Sequence, residues 1–205
     1  MIVCFDIGGV LVRICRTWEQ GCIAAGVTLR PFDESSEHVE RRQSLVMDLQ
    51  RGEIDDGDFH RHLSELFDGT WNHEEVARVD TAWLLDAYPG TLELIRELDA
   101  AEVRTACLSN TSGGHWESLL EYENVAALGT HHASHLLGLA KPDPRIYEVF
   151  ESMLGVPPEE IVFFDDLVAN IDAAAARGWN AVLVDHVGDT AAQMRNVLNV
   201  LGILR

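Results

Sequence analysis

Four largely apolar runs lie along the chain, and each of them ends in a polar residue. The runs are residues 2–5 (IVCF), 104–109 (RTACLS), 161–164 (IVFF) and 180–184 (NAVLV). Apolar runs of this length are typical of parallel strands whose two faces are both buried in a sheet. The pattern therefore predicts four parallel strands.

Helical patterns separate these runs. They cover residues 90–101, 142–154, 168–177 and 190–201. A proline or a glycine marks the boundary of the first three, as is usual where a helix begins or ends. Strands and helices that alternate in this way predict an α/β fold with a doubly wound parallel sheet.

Residues 14–85 differ from the rest of the chain. They are helical in pattern and rich in charge, and none of their runs resembles a strand. They also hold Trp18, Trp71 and Trp83, which we expect to pack in an apolar core. We therefore predict an all-helical cap at 14–85, inserted into an α/β core that residues 1–13 and 86–205 form.

The charge of the chain restricts its ligands. Its 205 residues include 34 Asp and Glu but only 15 Lys and Arg, which gives a formal net charge of −19. Nucleic acid binds to basic surfaces, so we expect no nucleic-acid partner. No apolar run reaches the roughly 18 residues of a membrane helix, so we expect no membrane partner either. An anionic substrate would need a bound cation or a local group of basic side chains.

The cysteines and the N-terminus indicate the compartment. Cys4 and Cys107 lie in strand-like runs, and the four cysteines have no metal-binding spacing. The first residues lack the basic segment of a signal peptide, and Asp6 interrupts their apolar stretch. We therefore expect buried free thiols in a cytoplasmic protein. The oligomeric state stays open.

Polar side chains stand where the predicted strands end, at the edge where open parallel sheets bind their ligands. They are Asp6 after the first strand, Ser109 and Asn110 after the second, Asp165 and Asp166 after the third, and Lys141 before the helix that begins in KPDPRIY. Each could by itself be a turn residue, a helix cap or a surface charge. Together they form a set with complementary chemistry.

That chemistry is phosphoryl transfer. A carboxylate that attacks a phosphate needs a cation beside it, because both reactants are anions. Two or three carboxylates at strand ends form an oxygen-rich site that suits Mg²⁺. A hydroxyl, an amide and an ammonium can then bind the remaining phosphate oxygens and the developing charge.

Four motifs in order (FDIGGVL, LSN, KPDPRIY and FFDD) resemble those of the haloacid dehalogenase (HAD) superfamily. The resemblance extends over the whole chain, with 14–85 at the place of the helical cap of that Rossmannoid fold. LSNT followed by HW, and VFFDDLVANI, are most similar to the sugar-phosphatase branch typified by glucose-1-phosphate phosphatase. The resemblance implies a Mg²⁺-dependent phosphatase whose partner is a small phosphorylated metabolite. A sugar phosphate is the expected substrate class.

The resemblance also implies a metal site. Asp6 corresponds to a metal ligand, and Gly8 would contribute its backbone carbonyl. Asp166 corresponds to the direct carboxylate ligand, and Asp165 to a further ligand that binds directly or through water. Asn170, one helical turn further on, would brace this site.

The catalytic and phosphate-binding roles follow in the same way. Asp6 corresponds to the nucleophile that becomes an aspartyl-phosphate, and Lys141 to the lysine that pairs with nucleophile and phosphate. Ser109 and Asn110 correspond to the phosphate-binding motif. Arg145, within a turn of Lys141, is expected on the helix surface.

Four histidines near these motifs have less specific patterns. His115 stands at the start of a helix after LSN, and both helix packing and substrate contact stay open for it. His131, His132 and His135 form a cluster without the spacing of a zinc site, so we expect them in a solvated loop.

Two other functions stay open. A haloacid dehalogenase uses the same fold and nucleophile without a metal, although Asp165 and Asp166 would repel a carboxylate substrate. A non-catalytic binding protein would explain why position 8 is Gly8, where many relatives carry a second Asp. However, a decayed site would not be expected to keep Asp6, Lys141 and Asp166 together.

Overall fold

The computed structural model describes residues 1–204, and a five-stranded parallel sheet forms their centre. The strands of the sheet are β1 (Ile2–Phe5), β4 (Arg104–Ser109), β5 (Thr130–Ala133), β6 (Ile161–Asp165) and β7 (Asn180–Leu183). Their order in space is β5-β4-β1-β6-β7. A separate antiparallel pair consists of β2 (Val12–Ile14) and β3 (Leu84–Ala87).

The helices fall into two groups along the chain. Between β2 and β3 lie α1 (Trp18–Ala25), α2 (Ser36–Gln50), α3 (Asp56–Leu66) and α4 (His73–Thr81). After β3 come α5 (Thr91–Ala100), α6 (Gly113–Leu119), α7 (Glu123–Ala126), α8 (Ser134–Leu137), α9 (Pro144–Leu154), a 3₁₀ turn (Pro158–Glu160), α10 (Val168–Ala176) and α11 (Thr190–Val200). Within residues 1–204, no helix has both the length and the apolar character needed to cross a bilayer.

Helices cover both faces of the sheet. Side chains alternate between the two faces of a strand. Val3 and Phe5 of β1 therefore pack with α5 and α11 on one face, whereas Ile2 and Cys4 pack with α9 and α10 on the other. This arrangement confirms the predicted doubly wound α/β fold. It also brings the carboxyl ends of β1, β4 and β6 together at one edge.

The edge strand β5 was not predicted. We expected His131, His132 and His135 in a solvated loop, and this was wrong. The first two lie in β5, which pairs with β4, and His135 lies in α8. His132 is buried with its ring 4.9 Å from that of Phe150, and burial lowers the pKa of the imidazole. Pairing with β4 outweighs the low strand propensity of the THHA run.

A short ribbon joins the sheet to α1–α4. Val12 pairs with Ala87 and Ile14 pairs with Leu84, so the chain leaves and returns side by side. The expectation that 14–85 contains no strand was therefore wrong at its two ends. The runs are too short to show an alternating pattern. The predicted boundaries fall inside this ribbon, and the division into core and cap stays a prediction.

Helices α1–α4 share an apolar core of their own around Trp71. The Trp71 side chain is fully buried, and its Nε1 donates a hydrogen bond to the carbonyl of Thr28 at 2.9 Å. Its ring lies 5.3 Å from Trp18 and 5.0 Å from Phe67. Trp83 is partly buried and packs against the same cluster. The tryptophans thus pack this core, as expected.

All four cysteines are buried free thiols, as predicted. Cys4 and Cys107 lie at the centre of the sheet, where burial raises the pKa of the Cys107 thiol to about 12. The cytoplasmic location stays a prediction.

We expect Trp71→Ala to lower the free energy of unfolding by about 3–5 kcal/mol, because it opens a cavity and leaves the Thr28 carbonyl without its donor. Urea unfolding measures the change. Val187→Ala is the control, because its side chain is 82% exposed and should change stability by less than about 0.5 kcal/mol. Equal midpoints and slopes for the two variants would contradict this account of the helical core.

Candidate active site

Lys141 is the buried centre of the site. Its Nζ lies 2.7 Å from Asp165 Oδ2 and 3.0 Å from Asp6 Oδ1, and its side chain has no solvent exposure. Burial by itself would lower the pKa of this ammonium. The carboxylates of Asp165 and Asp6 outweigh that effect, and the pKa of Lys141 is raised above its usual value. Lys141 is therefore a buried cation that two carboxylates hold between two strand ends.

Asp165 is fully engaged by donors from the protein. Its Oδ1 accepts hydrogen bonds from the backbone N–H of Leu167 at 2.8 Å and from Asn170 Nδ2 at 3.0 Å. Its Oδ2 accepts from Lys141 Nζ at 2.7 Å and from Asn170 Nδ2 at 3.0 Å. A carboxylate offers about four acceptor positions. This geometry favours the water-mediated alternative for Asp165 over direct metal binding.

Asp6 follows the end of β1, and its carboxyl binds a proton more readily than an ordinary aspartic acid does. Burial raises the pKa of its carboxyl to about 7, and Asp165 and Asp166 add to the shift, whereas Lys141 lowers it. Its Oδ1 forms an ion pair with Lys141 but accepts no hydrogen bond from residues 1–204. A second cation beside Asp6 would favour the ionised form, which is the form that can act as a nucleophile.

Ser109 and Asn110 end β4 beside Lys141. The Asn110 side chain donates from Nδ2 to the Lys141 carbonyl and accepts at Oδ1 from the Lys141 N–H, each at 2.8 Å. This side chain therefore holds the backbone of Lys141. Ser109 is buried, and both residues line the cavity that lies next to the site.

Three carboxylates fit a cation at this edge of the sheet. One oxygen from each of Asp6, Asp165 and Asp166 lies within 4.8 Å of the others. Asp166 Oδ2, like Asp6 Oδ1, is buried and accepts no hydrogen bond within residues 1–204. Carboxylate oxygens are ligands that Mg²⁺ prefers. The residues present therefore fit Mg²⁺, with Asp6 and Asp166 as the carboxylates that have an oxygen accepting no hydrogen bond.

The sequence motifs did not indicate Arg16. Its Nη2 lies 2.7 Å from Asp166 Oδ2, an ion-pair contact without hydrogen-bond geometry. Gly9 makes this contact possible. A Cβ at Gly9 would overlap Arg16 Nη2 and lie 2.5 Å from Asp166 Oδ2, and its φ of +83° favours glycine. No local pattern connects residues 9, 16 and 166, so only the fold shows this contact.

Gly8 lies against Ile14 of β2. A Cβ built at this position would lie 3.2 Å from Ile14 Cδ1, so the end of the Ile14 side chain would have to move by a few tenths of an ångström. Gly8 also lines the cavity. The position where many relatives carry an acid–base Asp is thus next to an apolar side chain.

Contacts between α3, α4 and α6 close one side of the site. The His115 ring Nε2 lies 2.8 Å from the carbonyl oxygen of Asp80 and 3.4 Å from its Oδ1. Asp80 Oδ2 lies 2.9 Å from His60 Nε2, and Asp56 accepts a hydrogen bond from the Gly114 N–H. His115 also lines the cavity, so both earlier alternatives for it, helix packing and substrate contact, remain compatible with its position.

A cavity of about 1090 Å³ lies between this edge of the sheet and α1–α4. The structure thus brings Lys141 into contact with Asp6 and Asp165 and places an Asp166 oxygen within 4.8 Å of theirs. Gly8, Ser109 and Asn110 line the adjacent cavity. Arg145 is separate: it is exposed and pairs with Asp143, as expected of a residue on the helix surface.

We expect Arg16→Gln to bind Mg²⁺ more tightly than the wild type, by roughly fivefold, because the guanidinium no longer competes for Asp166. Isothermal titration calorimetry at fixed ionic strength measures the dissociation constant. Arg13→Gln is the matched control: it removes the same charge from a side chain that lies over the Tyr88 ring. Weaker binding by Arg16→Gln than by Arg13→Gln would contradict the competition.

Comparison with known proteins shows the family of this chain. The model of the haloacid dehalogenase-like hydrolases matches residues 1–178. The phosphatase MT3486 of Mycobacterium tuberculosis is 28% identical over 147 residues, which are 68% of this chain and 65% of the relative. (S)-2-haloacid dehalogenase 4A of Burkholderia cepacia is 30% identical over 106 residues, 51% of this chain and 46% of the relative. The chain thus covers less than two thirds of these relatives.

Solved structures show the same fold. A HAD family enzyme from Bacteroides thetaiotaomicron, solved in complex with magnesium and inorganic phosphate, superposes with a TM-score of 0.73 at 20% identity. The match covers 92% of this chain and 96% of the other. Since the family model extends over most of the chain and the strand-end residues have the family's order, this chain belongs to the haloacid dehalogenase-like hydrolases.

Proposed function

We propose that this hydrolase is a Mg²⁺-dependent phosphatase, which cleaves the phosphate monoester of a small metabolite through an aspartyl-phosphate on Asp6. The observation that carries the proposal is the pairing of two features at one sheet edge. One is the buried Lys141 cation beside Asp6, and the other is the pair of buried oxygens on Asp6 and Asp166 that form ion pairs but accept no hydrogen bond. The phosphatase MT3486 and the magnesium–phosphate complex of the Bacteroides enzyme support it as relatives.

The residues divide into three roles in this proposal. Asp6 attacks the phosphorus, and Lys141 reduces the repulsion between the two anions. Asp6, Asp166 and the Gly8 carbonyl hold Mg²⁺, which supplies charge stabilisation for the phosphoryl group when bound. Ser109, Asn110 and Lys141 bind phosphate oxygens; for Asn110 this falls to its backbone N–H, because its side chain is already hydrogen-bonded to the backbone of Lys141.

Asp165 and Asn170 act as positioning residues. They hold the Lys141 ammonium in a fixed place through the hydrogen bonds at Asp165. A fixed cation does not have to reorganise when charge develops at the phosphate, which is why such preorganised groups lower barriers effectively.

Dehalogenation is the second candidate, because (S)-2-haloacid dehalogenase 4A is similar to half of the chain. A haloacid brings a carboxylate to the site. Asp6 and Asp166 would repel it, unless Arg16 and Lys141 were its partners. The excess of acidic groups in the site favours the metal-dependent reaction. A non-catalytic binding role would not explain why Lys141 is in contact with Asp6, the residue in the position of the nucleophile.

The size of the cavity favours a small metabolite. Helices α1–α4 lie over it and would exclude a folded phosphoprotein while keeping water away from the reaction, as lids do. The sugar phosphate that the resemblance implies stays a prediction.

We expect phosphate release to depend on Mg²⁺ and to stop in EDTA, because three carboxylates would then face a phosphate dianion. Asp6→Asn should lower turnover below roughly 1%, since an amide is a far weaker nucleophile. Phosphate release from a panel of metabolite phosphates measures both effects.

The control for Asp6→Asn is Asp99→Asn, at an exposed position on α5, which should keep full activity. Chloride release from a 2-chloroacid, measured with and without EDTA, tests the alternative. Metal-independent chloride release without phosphatase activity would overturn the proposal in favour of a dehalogenase.

Gly8 generates a separate kinetic prediction. A positioned acid–base group contributes roughly 10²–10⁴-fold, so a site without one should prefer leaving groups that are acidic themselves. Sugar 1-phosphates should react faster than 6-phosphates, and aryl phosphates should also react well. Hydrolysis of the aspartyl-phosphate should be slow, so rapid-quench kinetics should show a burst. Absence of both effects would mean that another residue supplies the acid–base function.

A further inference from the structure

The cavity has two chemically different ends. Gly8, Ser109 and Asn110 line the end at the sheet edge, where the phosphate would lie. The walls toward α1–α4 are largely apolar. Six of their side chains are Ile14, Leu29, Phe32, Val46, Met47 and Trp83. Leu29 and Val46 are 43% and 38% exposed, so apolar surface is accessible to a ligand there.

Several polar side chains of the wall already have partners. Arg16 contacts Asp166, and His115 contacts Asp80. Thr17 caps α1 by accepting a hydrogen bond from the Gln20 N–H.

Other polar side chains of the cavity are available to a ligand. The Arg42 guanidinium lies over the rings of Phe32 and Phe67, at 5.5 and 5.9 Å from their centroids, a contact that leaves its N–H donors free. Glu19, Glu34, Gln43 and Gln50 also line the cavity. Apolar side chains nevertheless form the larger part of this end, so part of a sugar would lie against apolar surface, and unpaired polar groups are costly to bury.

A second, independent observation concerns the leaving group. Gly8 cannot donate a proton, and a side chain in its place would meet Ile14. An aryl oxide is a weaker base than an alkoxide and can leave without a proton donor. An aryl phosphate therefore suits both the apolar wall of the cavity and the lack of an acidic side chain at position 8.

We propose that the substrate is an aromatic phosphate monoester, with its ring against the apolar wall that Phe32, Val46 and Trp83 form. This inference rests on the proposed phosphatase function. An Asp6 oxygen bonds to phosphorus while the bond from phosphorus to the aryl oxygen breaks, and the aryl oxide leaves as an anion and takes a proton from water. Water then attacks the aspartyl-phosphate, which releases inorganic phosphate and restores the Asp6 carboxylate.

Two matched pairs of substrates separate the effect of the apolar wall on the rate from the effect of the leaving group. Phenyl and naphthyl phosphate have leaving groups of similar acidity but differ in apolar area. Hexyl phosphate and glucose 6-phosphate both release a primary alcohol but differ in polarity. We expect kcat/KM to be roughly tenfold higher for naphthyl than for phenyl phosphate. Hexyl phosphate should exceed glucose 6-phosphate. The reverse order in either pair would overturn the inference.

Variants on one helix test the wall directly. Val46→Gln should lower kcat/KM for naphthyl phosphate roughly tenfold, with a smaller effect on phenyl phosphate. Val187→Gln, an exposed control outside the cavity, should change neither. Gln43→Leu removes one of the polar groups that a sugar would use, and should leave aryl phosphates unaffected or faster. A loss with Gln43→Leu but not with Val46→Gln would favour a sugar substrate instead.

Binding to Asp6→Asn separates this inference from the proposed function. This variant should bind naphthyl phosphate more tightly than glucose 6-phosphate in a calorimetric titration with Mg²⁺ present. Equal affinities together with normal wild-type turnover would refute only the aromatic substrate. Selective binding without phosphate release by the wild type would refute the phosphatase function and keep the preference of the cavity.

Discussion

The site depends on one buried cation. The Lys141 ammonium lies between Asp6 and Asp165 without solvent exposure. A buried charge is tolerated only when it is paired and hydrogen-bonded. The Asn110 side chain holds the backbone of Lys141, and Asn170 holds the Asp165 carboxylate. The ends of β1, β4 and β6 therefore converge on the lysine, and this convergence puts Asp6 next to a fixed positive charge.

The same site resolves a conflict in the composition. A chain with a net charge of −19 must still accept an anionic ligand if it is a phosphatase. Lys141 and Arg16 offset two of the three carboxylate charges of Asp6, Asp165 and Asp166. Salt screens the distant carboxylates, so the charge that a bound cation would have to neutralise is the local acidic excess. Asp165 is an anchor for Lys141 in this arrangement, since its oxygens are already engaged.

The charged groups and the apolar wall lie on different parts of the fold. The sheet edge carries the charged groups, whereas the apolar side chains of the wall come from residues 14–83. Phe32 and Trp83 of this wall also pack against the cluster around Trp71, which contains none of the sheet-edge residues. Contacts of His115 with Asp80 connect the two parts. Substitutions in the wall can therefore change the lining of the cavity while the charged groups of the sheet edge stay in place.

The sequence by itself determined the parallel strands at 2–5, 104–109, 161–164 and 180–184 and the set of polar residues at the ends of the first three. Buried strands are local apolar runs, and their carboxyl ends must meet at one edge. Only the tertiary structure decided that Arg16 contacts Asp166 across Gly9, that Asp165 is saturated, and that β5 is a strand. These features depend on contacts between residues far apart in the chain. No periodicity or spacing encodes such contacts.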